Sequence, residues 1–223
     1  MSCPITGDPE CKCNEVVIVL QKNLNIKEVL RKLFTEHAFY TRFFVDSFGL
    51  SENEPLTTRL LKNQEDIGNA LGKVPNDLAK GKELTELLKA HIMAAAGAVT
   101  ALNKNGPDSN ELKEAIKKVF ENSTLVAQFL SKLSPKLPFD VVKKEFDTHN
   151  QHVLNIATFH YKKDYNAEIK EADIYYNHML RFSDLLAKAL EQPLPEGQKG
   201  GDCGEDYYRK KYRKYKIKYL SVL

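Results

Sequence analysis

Residues 139–162, FDVVKKEFDTHNQHVLNIATFHYK, decide the fold class. Val142, Phe146, His149, Val153, Ile156 and His160 recur at steps of three and four, the repeat of one face of an α-helix. A strand of period two cannot keep them on one side. The stretch is bounded by Pro138 and by the charged run Lys162-Lys163-Asp164, and a histidine stands in the middle of its apolar face.

Working outward, the same spacing predicts helices over 26–48, 55–73, 82–103, 109–133 and 164–190. Pro4, Pro9, Pro55, Pro75, Pro107, Pro135, Pro138, Pro193 and Pro195 all fall between these stretches or at their first turns, where proline is tolerated. Asn25 with Glu28 and Asp108 with Glu111 have the spacing of capping boxes, and Gly49 and Gly106-Pro107 are stop signals. Val16–Leu20 reads equally as a short strand or a helical turn. The expected fold is therefore all-α, an antiparallel bundle of about six helices with a short N-terminal extension and a basic C-terminal tail. Expected boundaries are 1–24 for the Cys-containing extension, 25–191 for the bundle, 192–204 for a Pro/Gly linker and 205–223 for the tail.

The chain has 223 residues, 42% hydrophobic and 28% charged, a composition that supports a sizeable core and excludes disorder as its main state. No apolar run approaches the ~18 residues a membrane span needs, and the first fifteen residues lack the pattern of a secretory signal. The expectation is a soluble, cytoplasmic protein without a membrane partner. Cys3, Cys11, Cys13 and Cys203 lie near the two ends and read as reduced thiols, a zinc-binding set or a clip.

The net charge of +3 is unevenly spread: the segment from Glu205 to Leu223 carries +5 and leaves −2 for everything before it. A nucleic-acid role for the body has no electrostatic support. In the tail, Tyr208, Tyr212, Tyr215 and Tyr219 recur at helical spacing beside Arg209, Lys210, Lys211, Arg213, Lys214, Lys216 and Lys218. This pattern reads either as a terminal helix lying on the bundle or as an arm docking an acidic protein or nucleic acid.

Each predicted helix carries a polar residue near the middle of its apolar seam. These are His37, Asn63, His91, Asn122, His149 and Tyr176. Midpoints of antiparallel helices joined by short loops lie at similar heights, so the six fall in one layer, with Asp66, His152 and Asp173 about 60° off the seams. Such a layer is either a hydrogen-bonded network that fixes register or a ligand site. As a metal site it takes His37, His91, His149, His152, Asp66 and Asp173 as ligands to Zn, Fe or Mn, with Asn63, Asn122 and Tyr176 orienting them. The Glu-x-x-His pairs of di-iron bundles are absent, since Glu36 adjoins His37 and Glu145 lies four residues before His149. His178 reads as a packed histidine on the far side of its helix and His160 as a helix-terminal cation. No nucleophile elbow or phosphate loop supports hydrolase or nucleotide-dependent chemistry, so binding is expected rather than turnover.

Several stretches also carry a likeness. Leu30-Arg31-Lys32-Leu33, Glu36-His37, Tyr40-Thr41-Arg42, the run Leu60 to Ala70, Leu84 to Ile92, Asn122, Phe129-Leu130, His149, and Asp173 with His178 resemble a family of small, uncharacterised helical proteins of mostly bacterial origin. The resemblance spans about Val29 to Leu190, implies an all-helical fold with polar mid-helix positions, and implies no activity. Where relatives often have Trp, this chain has none; Asp147 stands where a His is frequent and Ile156 where a Glu is frequent. The tail resembles Tyr/Lys-rich C-termini of proteins from large DNA viruses of protists, which implies a virus-encoded, virion-associated protein. The leading expectation is a helical-bundle protein binding a metal ion or small polar ligand at its midplane. The alternative is a structural or interaction protein whose polar layer only fixes the fold and whose tail docks a partner.

Overall fold

The computed structural model describes residues 9–73 and 77–192. Among them are six helices and no strand: α1 Pro9–Asp46, α2 Asn53–Lys73, α3 Leu78–Asn105, α4 Asn110–Leu133, α5 Phe139–Tyr161 and α6 Tyr165–Ala189. The chain divides into two compact units, Ile26–Leu190 and, separately, Met1–Asn25 with Glu191–Leu223. Within the latter, Asn23 Nδ2 donates to the Gln192 carbonyl at 3.0 Å and Asn23 Oδ1 accepts from the Gln192 amide at 2.9 Å. The tail residues Tyr208 to Tyr219 and the linker from 193 lie outside the described residues, as do Cys3 and Cys203.

The first helix corrects the expected start at 26. It begins at Pro9, Val16–Leu20 is helical, and Asn25 with Glu28 opens nothing. Proline's fixed φ suits a helix start, and no glycine or proline interrupts the chain until Gly49, so each added residue extends an existing hydrogen-bond ladder. Two further starts also differ. Asp77 accepts from the Lys80 amide at 3.1 Å and starts α3 four residues early; Ser109, rather than Asp108, caps α4 by accepting from Leu112. Gly106 ends α3 at φ +85°, a conformation that favours glycine, and its amide donates to the Leu102 carbonyl.

Within Ile26–Leu190, each helix from α2 to α6 packs on its chain neighbour, and α3 also meets α5. Side chains bring α1 against α2, where Asn63 Nδ2 donates to the Leu33 carbonyl at 3.0 Å and Arg59 pairs with Glu36 at 2.9 Å. They also bring α1 against α6, where Arg31 meets Asp184 at 2.8 Å and the rings of Phe34 and Phe182 lie 5.6 Å apart. Partner numbers fall on one helix as they rise on the next, as antiparallel neighbours require. At the α2–α3 crossing, Gly72 and Gly81 allow the backbones to touch: a Cβ on Gly72 would lie 2.8 Å from the Gly81 Cα.

The core is apolar and continuous, and α5 buries its predicted seam of Val142, Phe146, His149, Val153 and Ile156. Each fully buried aliphatic or aromatic side chain of this kind contributes roughly 1.5–3 kcal/mol. The expected α6 seam of Ile169, Ala172, Tyr176, Met179, Ser183 and Leu186 holds over its second half, where Met179, Ser183 and Leu186 are buried. Ile169 and Tyr176 of that seam are exposed, as is Ile174, so the outer face is apolar too, and Tyr175 and Phe182 face inward instead.

Candidate functional site

Two polar assemblies lie within the bundle. The first is the midplane layer, where the rings of His37 from α1 and His91 from α3 approach that of His149 from α5 at 5.4 and 5.6 Å between centroids. All three side chains are buried. Their hydrogen bonds fall on Nδ1. Gln64 Nε2 lies 3.2 Å from His37 Nδ1, with its two hydrogens donated to the Leu60 carbonyl and Asn63 Oδ1. Asn122 Nδ2 donates to the Leu87 carbonyl, so its Oδ1 accepts from His91 Nδ1 at 3.0 Å and leaves His91 Nε2 with a lone pair. His149 Nδ1 stands 3.2 Å from Met179 Sδ.

Burial pushes His37 and His91 down to about 4; the charge of His91 adds to this at His37, while hydrogen bonds that the rings donate to Asn63 and Asn122 oppose it. Burial, then the neighbouring histidines, hold His149 well below the ordinary range. All three are therefore neutral imidazoles at neutral pH, the form in which the ring binds metals. Two cavities of about 30 Å³ each flank the layer, and all three histidines line both.

The carboxylates expected in this layer are elsewhere. Asp66 pairs with Lys62 at 3.0 Å on the outside of α2, and Asp173 is exposed on α6. Tyr176 is 42% exposed whereas Tyr175 is 1% exposed, its ring 5.4 Å from that of His149, so Tyr175 takes the place expected for Tyr176. His152 sits to one side, with Nδ1 2.7 Å from Glu171 Oε1. Contrary to its expected place on the far side of α6, His178 is buried against α5, its Nε2 3.1 Å from the Glu145 carbonyl, and burial lowers it to about 4. Gln64 and Met179 are the layer members that sequence reasoning missed. Gln64 adjoins Asn63 on the same buried face, and Met179 reads as an ordinary core residue.

The second assembly lies at one end of the bundle, where α1 ends, α5 ends and α6 begins. Asp46, His160 and Glu168 bring one nitrogen and two carboxylate oxygens within 4.8 Å of one another, the one such group among the described residues. His160 Nδ1 is 3.1 Å from Glu168 Oε2 and 3.4 Å from Asp46 Oδ1. Glu168 is 0% exposed, and burial raises its carboxyl while the nearby Arg42 opposes the rise. Arg42 Nη2 lies 2.7 Å from Glu168 Oε1, and Arg42 Nε lies 3.2 Å from Asp46 Oδ1. The guanidinium thus holds one oxygen of Glu168 and leaves the other facing His160. Ligands about 2.1 Å from a common ion lie about 3.0–3.4 Å from each other, the spacing found here. The cluster is able to coordinate a divalent metal ion.

His160 was expected only as a helix-terminal cation, and neither Asp46 nor Glu168 stood out in the sequence. Helix parity was the available signal: in an antiparallel bundle the C-termini of α1 and α5 and the N-terminus of α6 share one end. No helix among the described residues is long and apolar enough to cross a membrane. No protein-family model, curated protein or solved structure matches the chain, and the functional reading rests on this geometry.

Proposed function

We propose that this protein is a metal-binding helical bundle whose divalent ion is held by Asp46, His160 and Glu168 where α1, α5 and α6 meet. The observation that carries the reading is the spacing of three donor atoms from three helices, 3.1 and 3.4 Å about His160 Nδ1. Two carboxylates balance the charge of a dication, and imidazole with carboxylate suits Mn, Fe or Zn. Arg42 hydrogen-bonds Asp46 and pairs by charge with Glu168, in the position of the outer partners that orient ligands in metal sites. Three protein ligands leave coordination positions for water or a small ligand.

The competing reading is a metal-free ion network that pins the bundle end, favoured by the 2.7 Å approach of Arg42 to Glu168. The further reading of a virion-associated interaction protein rests on the tail composition at 208–219 alone.

The test is calorimetric titration of the metal-stripped, tag-free full chain with Mn(II), Fe(II) and Zn(II). One equivalent should bind to the native chain, and His160→Ala should abolish it while circular dichroism stays helical. A native chain that binds none of the three, or a His160→Ala variant that titrates like it, overturns the reading in favour of the ion network.

A further inference from the structure

The midplane histidines take no part in the end cluster, and their surroundings select a different ion. One of the two small cavities, about 30 Å³, is lined by His37, His91, His149 and Met179 and walled by Phe34, Phe146 and Phe182. That volume holds one ion or one water molecule.

The donor atoms are close to the spacing of a shared ion. A nitrogen at about 2.0 Å and a sulfur at about 2.3 Å from one metal lie about 3.5 Å apart, and His149 Nδ1 and Met179 Sδ are 3.2 Å apart; the thioether only accepts, so the proton that Nδ1 carries in the metal-free chain passes to Nε2 when an ion takes its place. Two imidazoles on one ion place their centroids about 5 Å apart, against 5.6 Å for His91 and His149. The hydrogen bond to Asn122 occupies Nδ1 of His91 and leaves its Nε2 lone pair for a ligand. His37 Nδ1 faces Gln64 Nε2 at 3.2 Å, and the His37 ring packs against that of His149 at 5.4 Å.

Charge and softness then decide the ion. All the donors are neutral, and Asp66, Asp173 and Glu171 lie outside the layer. A dication would bring two uncompensated charges into an aromatic core, whereas a monovalent ion brings one. A thioether donor selects soft ions, copper(I) foremost. We propose that His91, His149 and Met179 form a copper(I) site at the midplane, independent of the carboxylate site at the bundle end.

The test uses the full chain with Cys3, Cys11, Cys13 and Cys203 replaced by serine, because thiolates compete for copper(I). The metal-stripped protein is loaded anaerobically with copper(I) and challenged with a chromophoric copper(I) chelator. One copper(I) per chain should be retained, excess Zn(II) should not displace it, and X-ray absorption should show a sulfur neighbour. Met179→Leu, a nearly volume-conserving change, should weaken retention at least tenfold, while His160→Ala should leave it unchanged. Failure to retain copper(I), a copper shell without sulfur, unaltered affinity in Met179→Leu, or loss of copper in His160→Ala would each overturn the proposal. The absorption spectrum of the unsubstituted midplane decides the matter if Met179→Leu does not fold. A water-filled cavity is the reading that remains if copper(I) is not retained.

Discussion

Acidification of the metal-free protein puts the midplane layer to its most direct energetic test. An unfolded chain takes up histidine protons near pH 6.5, whereas the folded chain refuses them at His37 and His91 until about pH 4. Above pH 6.5 both states hold neutral rings, and these groups leave stability unchanged with pH. As pH falls below 6.5 the unfolded state binds protons that the folded state rejects, so stability is lost until the folded rings also protonate near pH 4. With the slope rising from half to the full value of about 1.4 kcal/mol per pH unit for each ring, the two histidines together remove about 3 kcal/mol between pH 6.5 and 5. That is a large share of the roughly 5–15 kcal/mol by which domains of this size are stable. His149 and His178, also lowered, steepen the loss. Urea denaturation followed by circular dichroism at pH 7.5, 6.5, 5.5 and 5.0 measures it directly. In a His91→Leu variant the loss between pH 6.5 and 5 should shrink by about 2 kcal/mol. Stability that stays within about 1 kcal/mol from pH 7.5 to 5 would refute the claim that the layer is buried and neutral.

Gly72→Ala should destabilise the bundle by about 1–3 kcal/mol, because the added methyl meets the backbone of α3 at Gly81 and the helices must move apart; a midpoint in urea equal to that of the native chain would show that the crossing is looser than described. Deletion of 193–223 should leave the melting temperature of the bundle nearly unchanged. It should also abolish any salt-sensitive binding of single-stranded nucleic acid, since the +5 charge lies from Glu205 onward. Unfolding of the truncated chain would instead make the tail tyrosines part of the core.

Much of this organisation is written in periodicity. The step of three and four in α5, with polar and apolar residues alternating between faces, dictates a helix wherever the segment is placed, and the buried seam from Val142 to Ile156 follows from it. Short connections between the helices then force antiparallel neighbours, which bring His37, His91 and His149 to one height. Local signals decide less where they compete. Asn25 and Glu28 have the spacing of a cap, yet a helix already nucleated at Pro9 runs through them, because extending a helix costs far less than starting one. In α6 both faces carry apolar residues, so periodicity alone cannot choose between Tyr175 and Tyr176; packing against α5 chooses Tyr175.

The end cluster belongs almost wholly to tertiary structure. Asp46 and Glu168 are 122 positions apart in the chain. Only the shared end of α1, α5 and α6 brings them to one histidine, with Arg42 aiming their oxygens. Side-chain chemistry and helical period are local, so in α1 to α5 they set which face is buried and place a polar residue within it, whereas in α6 packing had to choose the face. Which carboxylates reach a histidine, and which histidines are kept away from any carboxylate, was decided by helix ends and rotations in the packed bundle, where separation in the chain no longer measures distance.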